Sequence, residues 1–292
     1  MAASSRSPEA ARSAAYTRIA VTPVAPALGA ELAGVDLRQP LDGETVAEIR
    51  RAFLEHQVVF FRGQNLDSAA FLAFARRFGR PVEYPFVRGI EGFPEIIEVL
   101  KREHETVNFG GIWHSDTAYL ETPPMGTMLI AREVPPRGGD TLFASMYRAY
   151  ETLPPALRRR LEGARAVNCS AKADVTRTRE DRIRDSPAAD VKTVYEAEHP
   201  VVRTHPETGR KALYVNVAHT VRLAGETEAE SRALLEELFR HQTRAEFTCR
   251  FRWAPGSIAF WDNRATQHFP VNDYHGYRRR MHRITLAGDR PF

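Results

Sequence analysis

The sequence predicts a mainly β domain with flanking helices, arranged as a β-sandwich or jelly roll. Two observations carry this. From Thr127 onward, short apolar runs of strand length alternate with Pro- and Gly-rich turns. Only a few stretches have helical spacing, enough to decorate a sheet core but not to replace it. Composition agrees. Of 292 residues, 43% are hydrophobic and 27% charged, which is ordinary globular usage and excludes wholesale disorder. The longest compact apolar stretch, Val58–Phe61, is strand-sized, far below the ~20 residues of a membrane-spanning helix.

The elements follow in order. Met1–Ala15 is rich in Ala, Ser and Arg, has no apolar core like that of a signal peptide, and reads as a disordered leader. Ile19–Pro26 is a strand, followed by a turn at Leu28-Gly29-Ala30. Asp42–His56 is a helix, because Val46, Ile49, Phe53 and Leu54 fall on one face. Gln57–Arg62 is a buried strand. A second helix runs from Asp67, a good N-cap, to Phe78, and Gly79 stops it. Glu95–Leu100 and Thr127–Val134 are strands, the latter closed by Pro135-Pro136-Arg137-Gly138-Gly139. Val201–Thr204 and Lys211–Val215 form a hairpin around Pro206-Glu207-Thr208-Gly209. Glu226–Arg244 is an amphipathic helix. Thr248–Trp253 and Ser257–Trp261 are expected to pair across Ala254-Pro255-Gly256, and Arg278–Ala287 is the last strand.

Residues 171–194 stand apart. They carry both signs of charge and almost no apolar period, so they are expected to form a lid inserted in a single domain spanning residues 16–292. The net charge of +4, with basic residues scattered, is not a nucleic-acid signature. Two cysteines, Cys169 and Cys249, cannot build a disulfide framework, so a cytoplasmic location is expected.

The chemistry concentrates in a few residues. His114 and Asp116 in Trp113-His114-Ser115-Asp116 are two apart and share one face of an extended chain. A jelly roll can bring His268, far downstream, beside them. Two His and one carboxylate on one side of a metal suit a non-haem Fe(II) oxygenase, because the other positions stay open. Thr141 follows a Gly-Gly-Asp turn. Arg279 and Arg283 lie on one strand face by period two, their side chains starting roughly 13 Å apart. That spacing can serve two anions in one elongated cavity, and a guanidinium binds a carboxylate in a way Lys cannot.

These residues and their neighbours resemble the taurine dioxygenase family, which includes aryloxyalkanoate dioxygenases and alkylsulfatases. The resemblance runs from about Ile19 to Phe292. It passes through Gly34-Val35-Asp36-Leu37, His56-Gln57-Val58-Val59-Phe60, Trp113-His114-Ser115-Asp116, Gly138-Gly139-Asp140-Thr141, Trp261-Asp262-Asn263-Arg264 and Met281-His282-Arg283. It implies a double-stranded β-helix (jelly roll) using Fe(II), 2-oxoglutarate and O2. By resemblance, His114, Asp116 and His268 are the iron ligands, Thr141 and Arg279 hold the distal carboxylate of 2-oxoglutarate, and Arg283 meets the substrate anion. Trp261 is expected close to the iron pocket, among the substrate-binding residues.

On the substrate side the sequence departs from the taurine pattern. Tyr84 and Val87 stand where the taurine enzymes have a His and a Tyr, Gly110 replaces an Asn, and His219 takes an aromatic position. The expected substrate is therefore a small organic anion bulkier than taurine: a carboxylate, sulfonate or sulfate ester oxidised at a C–H, with succinate and CO2 as coproducts. The alternatives are desaturation or another unusual oxidation of an amino-acid-like substrate with the same cofactors, a zinc hydrolase on the same triad, and a metal-free binding module. A homo-oligomer is expected, with no nucleic-acid or membrane partner.

Overall fold

In the computed structural model, which describes residues 15–172 and 194–292, the N-terminal half builds a sheet backed by helices. Strands β1 (Ala20–Pro23) and β2 (Ala30–Ala33) pair antiparallel, so the predicted turn at Leu28-Gly29-Ala30 runs directly into a second strand. Helix α1 (Gly43–His56) starts where the Asp42 carboxylate accepts from the Thr45 backbone N–H at 2.7 Å, and it buries Ile49, Ala52 and Phe53. Strand β3 (Val58–Phe61) follows. Helix α2 (Ser68–Arg76) is capped by Asp67 in the same way. Strands β4 (Pro81–Val82), β5 (Ile96–Lys101) and β6 (Gly126–Glu133) complete this half.

The second half adds β7 (Thr141–Ser145), the short helices α3 (Met146–Glu151) and α4 (Pro155–Leu161), and β8 (Arg165–Cys169). Strand β9 (Glu196–Pro200) precedes the predicted hairpin, which is β10 (Val202–Thr204) paired with β11 (Lys211–Leu213). Strand β12 (Thr220–Leu223) leads to α5 (Glu228–Gln242), whose Thr227 and Glu230 form a reciprocal capping box. Strands β13 (Thr248–Phe251), β14 (Ile258–Asp262), β15 (Thr266–Pro270) and β16 (Arg279–Leu286) finish the chain. The expected leader and lid fall, except at their outermost residues, outside the described residues.

Eight strands form one large sheet, ordered β1-β2-β3-β14-β6-β16-β4 with β5 also on β16, and β13-β7-β15 form a smaller one; β12-β8-β9 and the β10–β11 hairpin stand as two further sheets. This corrects one expectation. Strands β13 and β14 do not pair across Ala254-Pro255-Gly256: β13 pairs with β7, and β14 lies between β3 and β6 in the other sheet. The Pro-Gly turn carries the chain from one sheet to the other, as a jelly roll requires. Both sides of a turn show the same sequence pattern in a hairpin and in a sheet crossing, so local pattern does not separate them.

The first two of these sheets enclose one core, and the helices cover the outer face of the large sheet. Period two sorts the side chains. On β3, β6 and β14, Val59, Phe61, Met128, Ile130, Ile258 and Phe260 face the helices. Phe60, Leu129, Ala259 and Trp261 face the smaller sheet. Val58–Phe61 is apolar throughout because it is buried on both sides. Phe260 stacks on Phe53 of α1 with ring centres 4.0 Å apart, and Phe60 stacks on Phe251 of β13 at 4.0 Å. Truncating a ring in either stack to Ala would cost about 3–5 kcal/mol. On β16 the same alternation sends Arg279, Met281 and Arg283 inward between the sheets and Ile284 and Leu286 outward to the helices. That placement puts two guanidiniums inside the barrel. No helix among the described residues is long and apolar enough to cross a membrane.

Candidate metal centre and substrate cavity

At the open end of the barrel, His114 and His268 face each other as an isolated β-bridge. Each backbone N–H donates to the other residue's carbonyl, at 3.1 and 2.9 Å, and the two rings sit 4.1 Å apart. Asp116 is not on a strand, as its spacing suggested. It opens a turn held down by Ser115, whose hydroxyl donates to the Thr266 carbonyl at 2.8 Å. The turn places the carboxylate against both rings: Asp116 Oδ1 lies 3.7 Å from His114 Nε2 and 3.9 Å from His268 Nε2. One ligand atom from each of the three residues falls within 4.8 Å of the others, and all three residues are buried.

Protonation in this cluster suits a cation. His114 Nδ1 lies 2.7 Å from the Ile112 carbonyl, which can only accept. The ring therefore carries its proton on Nδ1 and presents the Nε2 lone pair. Burial pushes both His114 and His268 below the ordinary histidine range, so both are neutral. Burial would raise the Asp116 carboxyl, but the Arg283 guanidinium, with the Thr127 hydroxyl bond, outweighs it and holds the acid well below the usual carboxylate range. Two neutral imidazoles and an ionised carboxylate form the donor set a divalent metal needs. Among the described residues the Ile112 carbonyl is the hydrogen-bond partner seen for these rings, accepting from His114, and His268 Nδ1 has no hydrogen-bond partner.

Beside this cluster lies a small cavity lined by Thr141, Trp253, Trp261, His268 and Arg279. Trp253 Nε1 donates to Thr141 Oγ1 at 3.0 Å, which leaves the hydroxyl proton free to donate inward. Arg279 is 5% exposed, and its Nε and Nη2 have no hydrogen-bond partner. Burial pulls its pKa below the ordinary arginine value, against smaller opposing effects of Tyr274 and Asp140. Trp261 belongs to this cavity, its ring 4.7 Å from His268, and not to the substrate side where the sequence placed it.

On the other side of the triad opens a larger cavity of about 180 Å³. Of the expected substrate residues, Tyr84, Gly110, His219 and Arg283 line it. Val87 lines neither cavity. Its neighbour Phe86 packs edge-on against Tyr119 and Tyr195 instead. Arg283 Nη2 lies 3.0 Å from Asp116 Oδ1, at an angle that makes no hydrogen bond, and its guanidinium stands 5.2 Å over the Tyr84 ring. His219 is buried and neutral, its pKa lowered to about 3 by burial first and by His114 next, and its Nδ1 has no partner. The missing side chain of Gly110 also makes room for the His114 ring, since a Cβ would come within 2.8 Å of His114 Cε1.

Sequence reasoning missed the apolar rim and the residues behind Asp116. Val107 and Ile112 line the larger cavity and are 56% and 40% exposed. Thr127 and Asn263 contact Asp116 directly. Asn263 stood in view within Trp261-Asp262-Asn263-Arg264, but nothing in a single sequence tied it to the turn at Asp116.

Comparison with known proteins agrees with this geometry. The family described as taurine catabolism dioxygenase TauD, TfdA matches residues 20–285. An alpha-ketoglutarate-dependent sulfate ester dioxygenase of Pseudomonas putida is 39% identical over 279 residues, covering 93% of this chain and 90% of its own length. An alkylsulfatase of Acinetobacter baylyi is 38% identical over 269 residues, covering 90% and 83%. The crystal structure of a taurine dioxygenase from Burkholderia xenovorans matches with a TM-score of 0.80 at 39% identity, covering 94% of this chain and 91% of its own.

Proposed function

The chain belongs to the taurine catabolism dioxygenase TauD, TfdA family and is a non-haem Fe(II)- and 2-oxoglutarate-dependent dioxygenase; from that premise we propose that it oxidises an amphiphilic organic anion, such as an alkyl sulfate ester or aryloxyalkanoate, and not taurine. In this reading His114, Asp116 and His268 hold Fe(II), and Thr141 and Arg279 hold the distal carboxylate of 2-oxoglutarate. Iron with its cosubstrate supplies the oxidising power, converting 2-oxoglutarate to succinate and CO2 while one oxygen atom of O2 enters a substrate C–H.

The observation that carries the substrate class is the composition of the larger cavity. At its inner end is one guanidinium, Arg283, with two nitrogens lacking hydrogen bonds. Its walls are aromatic and apolar, with Val107 and Ile112 exposed at the rim. Among the described residues the only acid in its lining is Asp116, which is already committed to the triad. A zwitterion such as taurine or an amino acid would bring an ammonium with no free carboxylate to meet it. An anion with an apolar tail leaves nothing unpaired.

The protein's own residues then do the positioning. Arg283 clamps the anionic head beside Asp116, which sets the adjacent C–H toward the metal. Tyr84, Tyr119 and His219 hold the tail and exclude water. For a sulfate ester, hydroxylation at the carbon bearing oxygen gives an unstable hydroxy ester. This collapses to an aldehyde and hydrogen sulfate, the C–O electron pair leaving with the sulfate.

The test is succinate formation above the uncoupled background with taurine, octyl sulfate and an aryloxyacetate at equal concentration. The larger anions should be turned over and taurine poorly. Arg283→Gln should raise KM for the anion with little change in the 2-oxoglutarate requirement. Efficient turnover of taurine, with the larger anions ignored, would overturn the substrate assignment.

A further inference from the structure

Behind Asp116 the side chains form a chain of hydrogen bonds in which every direction is fixed. Trp261 Nε1 can only donate, and it gives its proton to Asn263 Oδ1 at 3.0 Å. The Asp116 backbone N–H also donates to that oxygen, at 3.3 Å. With Oδ1 accepting twice, the other end of the amide must be Nδ2, and it donates to Thr127 Oγ1 at 2.9 Å. The Thr127 hydroxyl has one proton, and its remaining partner is Asp116 Oδ2 at 2.7 Å. All four residues are buried, Thr127 at 0% exposure on the inward face of β6.

The two carboxylate oxygens of Asp116 therefore differ. Oδ2 takes the Thr127 proton, while Oδ1 faces His114, His268 and Arg283. We infer that Thr127 and Asn263 are positioning residues that keep Asp116 a one-oxygen ligand. This rests on the metal assignment above. A carboxylate that gave both oxygens to the metal would take a position that the cosubstrate and O2 need, because the triad works by leaving positions open. A hydroxyl bond to the outer oxygen prevents that, since swinging Oδ2 inward would strand the Thr127 proton in a dry interior.

Sequence carries the same logic. Asn263 sits in the tight turn between β14 and β15, where the side chain of Trp261 and the backbone of Asp116 both reach its Oδ1. Thr127 begins the inward face of β6, beside Trp261 across the β6–β14 pairing. The relay thus ties the turn bearing one ligand, Asp116, to the strand pair that leads to another, His268. Outer partners of metal ligands matter at this scale, commonly about 10- to 100-fold in metal affinity.

The test uses Co(II) in place of Fe(II), without O2, and needs no turnover. Thr127→Val keeps the shape and removes the hydroxyl. It should weaken Co(II) binding by about 10- to 100-fold and change the visible d–d spectrum, because Oδ2 is freed to reach the metal. Thr127→Ser keeps the proton donor and should hold both the affinity and the spectrum of the wild type. Asn263→Asp replaces the amide donor with an acceptor that competes for the Thr127 proton, and it should move the spectrum in the same direction as Thr127→Val. This second variant decides the matter if Thr127→Val does not fold. Wild-type affinity and spectrum in a folded Thr127→Val or Asn263→Asp protein would overturn the relay. Wild-type Co(II) binding in His114→Ala would instead overturn the metal assignment, so the two failures are distinct.

Discussion

Arg279→Gln should weaken 2-oxoglutarate binding by about 10- to 50-fold without weakening the ligand-free fold. Arg279 is 5% exposed, two of its nitrogens have no hydrogen-bond partner, and burial lowers its pKa by more than Tyr274 and Asp140 raise it. The ligand-free protein therefore carries a desolvated cation whose free N–H groups a bound carboxylate would satisfy. Losing a charge-assisted hydrogen bond costs roughly 1.5–3 kcal/mol, or about 10- to 150-fold in affinity. The lower part of that range is expected. Lys101 is the cross-strand partner of Arg279, its Nζ lies 4.5 Å over the Tyr274 ring, and it leaves some positive potential in place. At one hundred times the wild-type Kd, ligand stabilises the protein by about 2.7 kcal/mol. A variant weakened 50-fold would gain only about 0.6 kcal/mol at that concentration. The assay is thermal unfolding with Mn(II), titrating 2-oxoglutarate without O2. The melting temperature of the ligand-free variant should equal or exceed that of the wild type, while the ligand-induced rise should nearly vanish. A variant that melts several degrees lower yet keeps the full ligand-induced rise would refute the reasoning, because Arg279 would then be a structural cation.

Two further predictions follow from single side chains. Gly110→Ala should weaken metal binding more than it weakens the fold: at φ +69° it adds strain of about 1–2 kcal/mol, and its Cβ would press on the metal-facing edge of His114 at 2.8–3.2 Å. Equal Co(II) affinity in Gly110→Ala and wild type would show that the ring has room to move. His282→Gln should flatten the acid limb of stability. The His282 pKa is lowered to about 4 by burial, then by Arg132 and Arg280, and its Nδ1 accepts from Arg132 Nε at 3.3 Å. An unfolded histidine takes a proton near pH 6.5 and the folded one only near 4, so wild-type stability falls as pH drops through that window. Melting temperatures from pH 7 to 4 should fall less steeply in His282→Gln, and an unchanged slope would remove His282 from the acid response.

Much of this molecule was legible in the chain because it depends on neighbours in sequence. The strands and the two long capped helices near the N-terminus, with α5, follow from period two, period 3.6 and the oxygen-bearing caps Asp42, Asp67 and Thr227. The same local rule put Arg279 and Arg283 on one face of one strand. The motifs around His114, Thr141 and His268 marked the chemistry before any fold was drawn.

Tertiary structure decided what local pattern leaves undetermined. Val58–Phe61 is equally apolar whether one face is covered or both, and only the packing of α1 and β13 against it shows both. The turn at Ala254-Pro255-Gly256 reads like a hairpin, but β13 and β14 find better partners in different sheets. Asp116 reaches the histidines from a turn, not from a strand, and Trp261 falls beside His268 and not in the substrate cavity. The Thr127–Asn263 relay and the apolar rim at Val107 and Ile112 exist only once distant segments meet. A residue's type fixes what it can donate, accept or bury. Which partner stands opposite is set by long-range strand pairing, and that is a property of the whole chain.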